Sequence, residues 1–185
     1  MSDRKTVFIG GSRSLFRLNQ DVKRRLDRVI ERGFTVFVGD ANGADKAIQQ
    51  HLASRHYEKV VVFCVAGNCR NNLGDWPLRE IAVAPNARRD FAFFATKDRA
   101  MGSEANYGLM LWDGKSRGTL TNIEDLVGQA KPVVVYVAPE KSFVTVREHD
   151  DLTNLADRVR PAIRQQSIRR PHPRRSHSAR DVFSF

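Results

Sequence analysis

Cysteine is scarce in this sequence, with only Cys64 and Cys69 among 185 residues. Two thiols cannot form the disulfide framework of a small secreted domain, and such scarcity is typical of proteins from a reducing compartment. Neither the cysteines nor the pair His51 and His56 has further ligands at the spacing of a zinc site. We therefore predict no bound metal ion, and nothing in the sequence indicates a cofactor.

A long hydrophobic run is also missing near the start, where MSDRKTVFIGG is charged at once and only briefly apolar. This pattern matches neither a secretory signal nor a membrane span, so we expect a cytoplasmic domain without a membrane partner. Positive charge, in contrast, is in excess. The formal net charge of +10 favours anionic partners, although charge alone does not choose between nucleotides and nucleic acid.

Five short apolar runs are nearly continuous rather than alternating, which predicts strands of a parallel sheet covered on both faces. They occupy residues 6–9, 35–38, 59–65, 107–112 and 132–137. Helical patterns lie before Gly33, after Gly43, and at about 87–99 and 120–129. This alternation predicts an α/β fold: a Rossmann-like, doubly wound, mostly parallel sheet of about five or more strands, with helices on both faces.

Composition divides the chain into three parts. Residues 1–139 form the predicted domain, and residues 166–185 form a tail with five arginines and one aspartate, which we predict to be disordered and to contact polyanions. Residues 140–165 are a predicted helical extension. Its apolar face would either pair with a second chain as a homodimer or pack on its own sheet. The residues of that face are Leu152, Leu155, Val159 and Ile163.

Aromatic residues outside the strands are assigned to packing. Phe91, Phe93 and Phe94 are predicted core residues of the third helix. Residues 66–86 show no sustained period, which predicts a long irregular segment. Within it, Trp76 is predicted to anchor the segment to the core rather than to stack on a base.

Three polar turns that contain glycine follow predicted strands: IGGSRS, VGDANGAD and WDGKSRGT. Because the carboxyl ends of parallel strands meet at one edge of a sheet, these turns are expected to converge on a ligand. Glycine lets the backbone approach that ligand, and Arg13 can pair with a phosphate. The helix after the third turn would offer free N–H groups to an anion. Each turn alone is equally well explained as structural, with Asn42 as a helix cap.

The motifs GGSRS, GDANGAD, KDRAM and WDGKSRGT resemble those of the SLOG superfamily, particularly its small YspA-like (DUF2493) branch. The resemblance covers roughly residues 5–139. The superfamily includes the LOG phosphoribohydrolases and the DNA-processing protein DprA. Membership would imply a Rossmann-like fold that binds nucleotides, nucleotide-derived ligands or nucleic acid at this sheet edge. The ligand-binding residues that the resemblance implies are Gly10, Gly11, Ser12, Arg13, Asp40, Gly43, Asp45, Asp113, Gly114, Ser116, Gly118 and Thr119.

The sequence departs from the hydrolytic LOG branch at one informative position. That branch has a PGGxGTxxE pattern, whose final glutamate acts on the sugar, whereas the same register here reads DGKSRGTLTN and ends at Asn122. An amide cannot serve as a general base or a nucleophile. Bond cleavage would therefore need a carboxylate from elsewhere, and Glu104 and Asp113 are our candidates for catalytic residues.

Three functions follow as hypotheses. The leading one is binding of a nucleotide or nucleotide-derived small molecule, as a sensor or partner module. The first alternative is a hydrolase or transferase that cleaves an N-glycosidic bond of a nucleotide. The second alternative is DprA-like binding of nucleic acid, to which the basic tail would add phosphate contacts that do not depend on sequence.

Overall fold

The structure, a computed structural model, describes residues 5–84 and 91–168. Strands and helices alternate along most of this part of the chain. The elements are β1 (Thr6–Gly11), α1 (Gln20–Glu31), β2 (Thr35–Gly39), α2 (Ala44–Ser54), β3 (Val60–Val65), β4 (Leu78–Ile81), α3 (Phe91–Glu104), β5 (Tyr107–Trp112), α4 (Arg117–Gly128), β6 (Val133–Val137), β7 (Ser142–Val146) and α5 (His149–Ile168).

The strands form one sheet in the order β4-β3-β2-β1-β5-β6-β7. Pairing is parallel from β4 through β6, and only β7 runs antiparallel to its neighbour β6. The order confirms the predicted doubly wound α/β fold. Because strands are added outward on both sides of the β1 and β5 pair, the chain reverses there, and such switch points are where open sheets bind ligands.

Alternate strand residues face two separate cores, which explains the continuous apolar runs. One core contains Phe8, Phe37 and Phe63 of the sheet, together with buried side chains of α3, α4 and α5. The other core contains Ile9 and Val38, together with buried side chains of α1 and α2. Helices therefore cover both faces of the sheet.

Two strands and one helix differ from the prediction. The segment 66–86, expected to be irregular, contains β4, and the predicted helical extension contains β7. Both strands lie at sheet edges, where backbone pairing needs little apolar sequence; Leu78 of β4 is 47% exposed. Helix α3 continues to Glu104, beyond its predicted end. The first residues expected in that helix lie outside the described residues.

Helix α5 packs on its own domain through the apolar face that the sequence predicted. Leu152, Leu155 and Val159 are at most 3% exposed and belong to the core beneath α4. The side chain of Ile163, and all of the tail from residue 169 onward, lie outside the described residues. Among the helices that are described, none combines the length and apolar character needed to cross a bilayer.

The contact between β1 and β5 gives a first prediction. A Cβ at Gly11 would lie 2.4 Å from the carbonyl oxygen of Leu111, so Gly11→Ala should lower the free energy of unfolding by about 1–3 kcal/mol. Gly128→Ala is the matched control, because its Cβ would meet no atom within 4 Å and alanine favours a helix by up to about 1 kcal/mol. Urea unfolding measures both. Equal stability of the two variants would contradict the predicted clash.

Candidate ligand-binding cleft

A cleft of about 540 Å³ lies at the carboxyl ends of β1 and β5. Its walls come from the turn after β1, the first turns of α2 and α4, and the N-terminal half of α3. The volume falls within the range of small-molecule sites, which is roughly 300–1,000 Å³. The cleft therefore lies at the switch point of the sheet and has the size of a ligand site.

Glycines bring the first two predicted turns together. Gly43 has a φ of +91°, and a Cβ there would lie 2.2 Å from the carbonyl oxygen of Arg13. Any other residue would push the turn after β2 away from the turn after β1. Gly43 thus supports the backbone of Arg13 without lining the cleft itself.

Two arginines in the cleft lie against the ring of Phe94. The guanidinium of Arg70 is 4.9 Å from the ring centroid, and that of Arg13 is 5.6 Å from it. Both distances are those of cation–π contacts. Phe94 is half-buried, so the prediction that it is a core residue was wrong, whereas Phe93 is buried as predicted. The side chain of Phe91 lies outside the described residues.

The two arginines differ in their charge partners. Arg70 donates from Nε and Nη2 to the carboxylate of Asp40, at 2.9 and 2.8 Å. Burial alone would raise the pKa of Asp40, but these bonds and nearby Lys97 lower it, so the pair is fully ionised. Arg13 makes no ion pair with any carboxylate in the described part of the chain. Its charge is available to a ligand.

Lys97 lies on the floor of the cleft and is 3% exposed. Its Nζ is 2.6 Å from Asp98 Oδ1, 3.8 Å from Asp40 Oδ1 and 4.0 Å from Asp45 Oδ2. Burial alone would lower the pKa of Lys97, but the carboxylates raise it above its ordinary value. Asp98 in turn accepts a hydrogen bond from Asn122 Nδ2 at 3.1 Å. A polar row therefore crosses the floor from α2 to α4.

Asp45, which is 7% exposed, is the unusual carboxylate of this row. Its Oδ2 accepts the N–H of Ala41 at 3.2 Å, while its Oδ1 accepts no hydrogen bond from a described residue. Burial raises the pKa of Asp45 to about 6, although Lys97 acts in the opposite direction. A Cβ at Gly39 would lie 2.3 Å from Asp45 Oδ2 and 2.6 Å from Lys97 Nζ, so glycine there makes room for the pair.

The third turn leads into α4, and hydrogen bonds to Asp113 fix the backbone directly before the helix. Asp113 accepts the N–H groups of Lys115 and Ser116 at 2.9 and 2.7 Å, and the hydroxyl of Ser14 at 2.6 Å. Burial alone would raise the pKa of Asp113, but these hydrogen bonds lower it, so the carboxylate stays ionised. No described residue accepts the N–H of Gly118, which lines the cleft. That N–H group is free to bind an anion.

Most of the predicted site residues come together. Those that line the cleft are Gly10, Gly11, Arg13, Asp45, Asp113, Ser116, Gly118 and Thr119. Ser12 is buried behind them, where its hydroxyl accepts the N–H of Asp113 at 3.1 Å and contacts Thr119 Oγ1 at 3.2 Å. Asp40 fixes Arg70, as described above. Gly114, with a φ of +79°, turns the chain and faces a separate hollow beside α4.

The prediction that Glu104 is a catalytic residue of this site was wrong. Its backbone carbonyl accepts the hydroxyl of Thr6, the first residue of β1, and its carboxylate pairs with Arg79 at 3.3 Å. Helix α3 begins near the cleft and runs back along the sheet, so its last residue lies at the amino ends of the strands. Of the two proposed carboxylates only Asp113 is in the cleft, and three donors already fix it.

Sequence reasoning did not assign Arg70, Phe94 or Lys97 to the site. Arg70 lies in a segment without periodicity and carries no local signal. Lys97 belongs to the KDRAM motif, which was the only hint of its position. The prediction for Trp76 was correct, because its Nε1 donates to the Tyr57 carbonyl at 2.8 Å and the side chain packs in the core.

Neither a protein-family model nor a curated protein matches the sequence. The fold is similar to a solved structure of DNA processing protein A from Helicobacter pylori, described for its single-stranded DNA binding mode. The TM-score is 0.54 at 14% identity over 89% of this chain and 81% of that chain. For DprA from Streptococcus pneumoniae the TM-score is 0.52 at 14% identity, over 85% of this chain and 56% of that one. The similarity establishes a shared Rossmann-like fold, and the present chain spans little more than half of the pneumococcal protein.

The raised pKa of Asp45 predicts a distinctive pH dependence of stability. Between about pH 4 and pH 6 the unfolded chain releases this proton while the folded protein keeps it, so the free energy of unfolding falls as the pH rises. Asp45→Asn should lack this contribution, which is on the order of 3 kcal/mol for a shift from 3.8 to about 6. Urea unfolding from pH 3.5 to 7.5 compares the two proteins. Parallel stability curves would show that Asp45 has an ordinary pKa.

Proposed function

We propose that the cleft binds a nucleotide or nucleotide-derived ligand, with its phosphate between Arg13 and the N-terminus of α4. The observation that carries this proposal concerns the described residues that line the cleft, where every other cationic group is paired with a carboxylate. Lys97 is neutralised by Asp98, and Arg70 by Asp40, whereas Arg13 has no described carboxylate partner. An anionic ligand would supply the negative charge that Arg13 lacks.

The position of the phosphate follows from the donors that remain free. Gly118 offers an unpaired N–H at the start of a 12-residue helix, where the helix dipole favours an anion. Gly10 and Gly11 leave the turn after β1 without side chains, so a ligand can approach its backbone. Asp113 stays ionised nearby, but its charge is directed at three donors of its own turn.

Phe94 and Arg70 supply a surface for a base. Aromatic rings and guanidinium planes both stack on nucleobases, and Arg70 is held in place by two bonds to Asp40. Arg13 lies over the same ring, so a phosphate drawn to Arg13 would bring its base close to Phe94. This arrangement supports a nucleotide rather than a simple inorganic anion.

The residues that the sequence offered for bond cleavage are not placed to act. Glu104 lies at the opposite edge of the sheet, Asp113 is fixed by three hydrogen bonds, and Asn122 cannot act as a base. We therefore infer that the protein is a sensor or partner module. This inference fits the proposed relation to the nucleotide-binding SLOG superfamily. Membership of the YspA-like branch stays a prediction.

Arg13→Ala should weaken binding of AMP at least about ten-fold, because a charge-assisted hydrogen bond contributes roughly 1.5–3 kcal/mol. Isothermal titration calorimetry at low ionic strength measures the affinity. Arg17→Ala is the matched control, since Arg17 is on the same loop but does not line the cleft. Equal losses in the two variants would indicate a nonspecific effect of net charge, and no loss in Arg13→Ala would contradict the proposed phosphate site.

Single-stranded DNA binding is a second candidate, favoured by an exposed aromatic residue on the same loop as Arg13. Phe16 is 67% exposed and follows Arg13 on the loop after β1, and the Arg17 guanidinium lies 6.0 Å from its ring centroid. Rings of this kind stack on the bases of single strands, and basic side chains follow their phosphates. The fold shared with a DprA known for single-stranded DNA binding adds support.

If Phe16 stacks on a base, Phe16→Ala should weaken binding of a fluorescent dT oligonucleotide by roughly 1–3 kcal/mol, or about five-fold to more than a hundred-fold. Fluorescence anisotropy at several salt concentrations gives both the affinity and the salt slope. Leu78→Ala removes another exposed apolar side chain, on the edge strand β4, and serves as the control. Equal affinity of the Phe16 variant and the wild type would exclude Phe16 as a stacking platform.

A further inference from the structure

The floor of the cleft presents hydrogen-bond acceptors that the protein leaves free. Asp45 is 7% exposed and lines the cleft, and its Oδ1 accepts no hydrogen bond from a described residue. Among the described residues no buried side-chain oxygen or nitrogen lacks a hydrogen-bond partner, so this oxygen is open to the cleft rather than buried. A ligand in the cleft can therefore donate a hydrogen bond to it.

A second carboxylate extends the same acceptor surface. Asp98 is bonded through Oδ1 to Lys97 Nζ at 2.6 Å and through Oδ2 to Asn122 Nδ2 at 3.1 Å. Its side chain is still 24% exposed and lines the cleft, so each oxygen keeps lone-pair capacity towards a ligand. Lys97 and Asn122 fix its orientation.

The chemistry of these acceptors selects the part of a nucleotide that can lie on them. Phosphate oxygens carry negative charge and would be repelled by Asp45 and Asp98. The phosphate has its own donors at Arg13 and α4, and the base has a surface at Phe94. Between phosphate and base a nucleotide has its sugar, whose hydroxyl groups are donors of the required kind.

We propose that Asp45 and Asp98 accept hydrogen bonds from the ribose hydroxyl groups of a bound nucleotide, so that the cleft selects ribonucleotides over 2′-deoxyribonucleotides. This inference rests on the proposed function and specifies its ligand class. It also separates the two candidates above, because single-stranded DNA has no 2′-hydroxyl to offer.

Isothermal titration calorimetry with AMP, GMP, CMP and UMP and their 2′-deoxy counterparts tests the proposal. At pH 7.5 Asp45 is ionised, because its pKa is about 6. The wild type should bind each ribonucleotide about ten-fold or more tightly than its deoxy counterpart, since a hydrogen bond to a charged group contributes roughly that factor. In Asp45→Asn and in Asp98→Asn this ratio should fall towards one, because a neutral amide is the weaker acceptor.

Glu104→Gln is the matched control, because it neutralises a carboxylate outside the cleft and should keep the ratio of the wild type. If Asp45→Asn does not fold, as judged by circular dichroism, Asp98→Asn carries the test alone. Equal binding of ribo and deoxy forms by the wild type would overturn the inference and leave the proposed function standing. A preference among bases without one between sugars would also overturn it. Absence of binding by all eight nucleotides would overturn both.

Discussion

The buried ammonium group of Lys97 is the constraint on which the rest of the site depends. It lies within 4.0 Å of three carboxylates: Asp40, directly after β2, Asp45 of α2 and Asp98 of α3. A buried cation is tolerated only when such partners surround it, and removal of one partner typically costs about 3–5 kcal/mol. Gly39 is required because any side chain there would occupy the space of Lys97 and Asp45. Two of these carboxylates also hold neighbouring side chains in place: Asp40 accepts a hydrogen bond from Arg70, and Asp98 accepts one from Asn122.

This network determines which groups are left for a ligand. Its cations and most of its carboxylate oxygens are satisfied internally, so they contribute shape and rigidity rather than free charge. What remains is Arg13 with the Gly118 N–H on one side, and the unpaired oxygen of Asp45 on the other. The ligand that we propose therefore carries an anion and hydrogen-bond donors a short distance apart. A nucleotide has both.

The sequence predicted the architecture because the signals for buried parallel strands are strong and local. Edge strands β4 and β7 escaped prediction because backbone pairing holds them with little apolar burial. The three glycine turns were predicted to converge, and they do, since parallel topology dictates it. Arg70 and Phe94 were missed because their roles arise from contacts between distant segments. Glu104 was assigned to the wrong place because the predicted third helix ended at about residue 99. The helix continues to Glu104, and this continuation carries Glu104 to the opposite edge of the sheet.

The central claim is that a nucleotide binds at the carboxyl edge of the sheet, between β1 and β5. Titration of ¹⁵N-labelled protein with AMP, followed by amide chemical shifts, tests this claim most directly. The account predicts that the largest shifts occur at Gly10, Gly11, Arg13, Gly118 and Thr119. Shifts concentrated instead at Thr6, Glu104 and Asn106, at the amino edge of the same sheet, would contradict it.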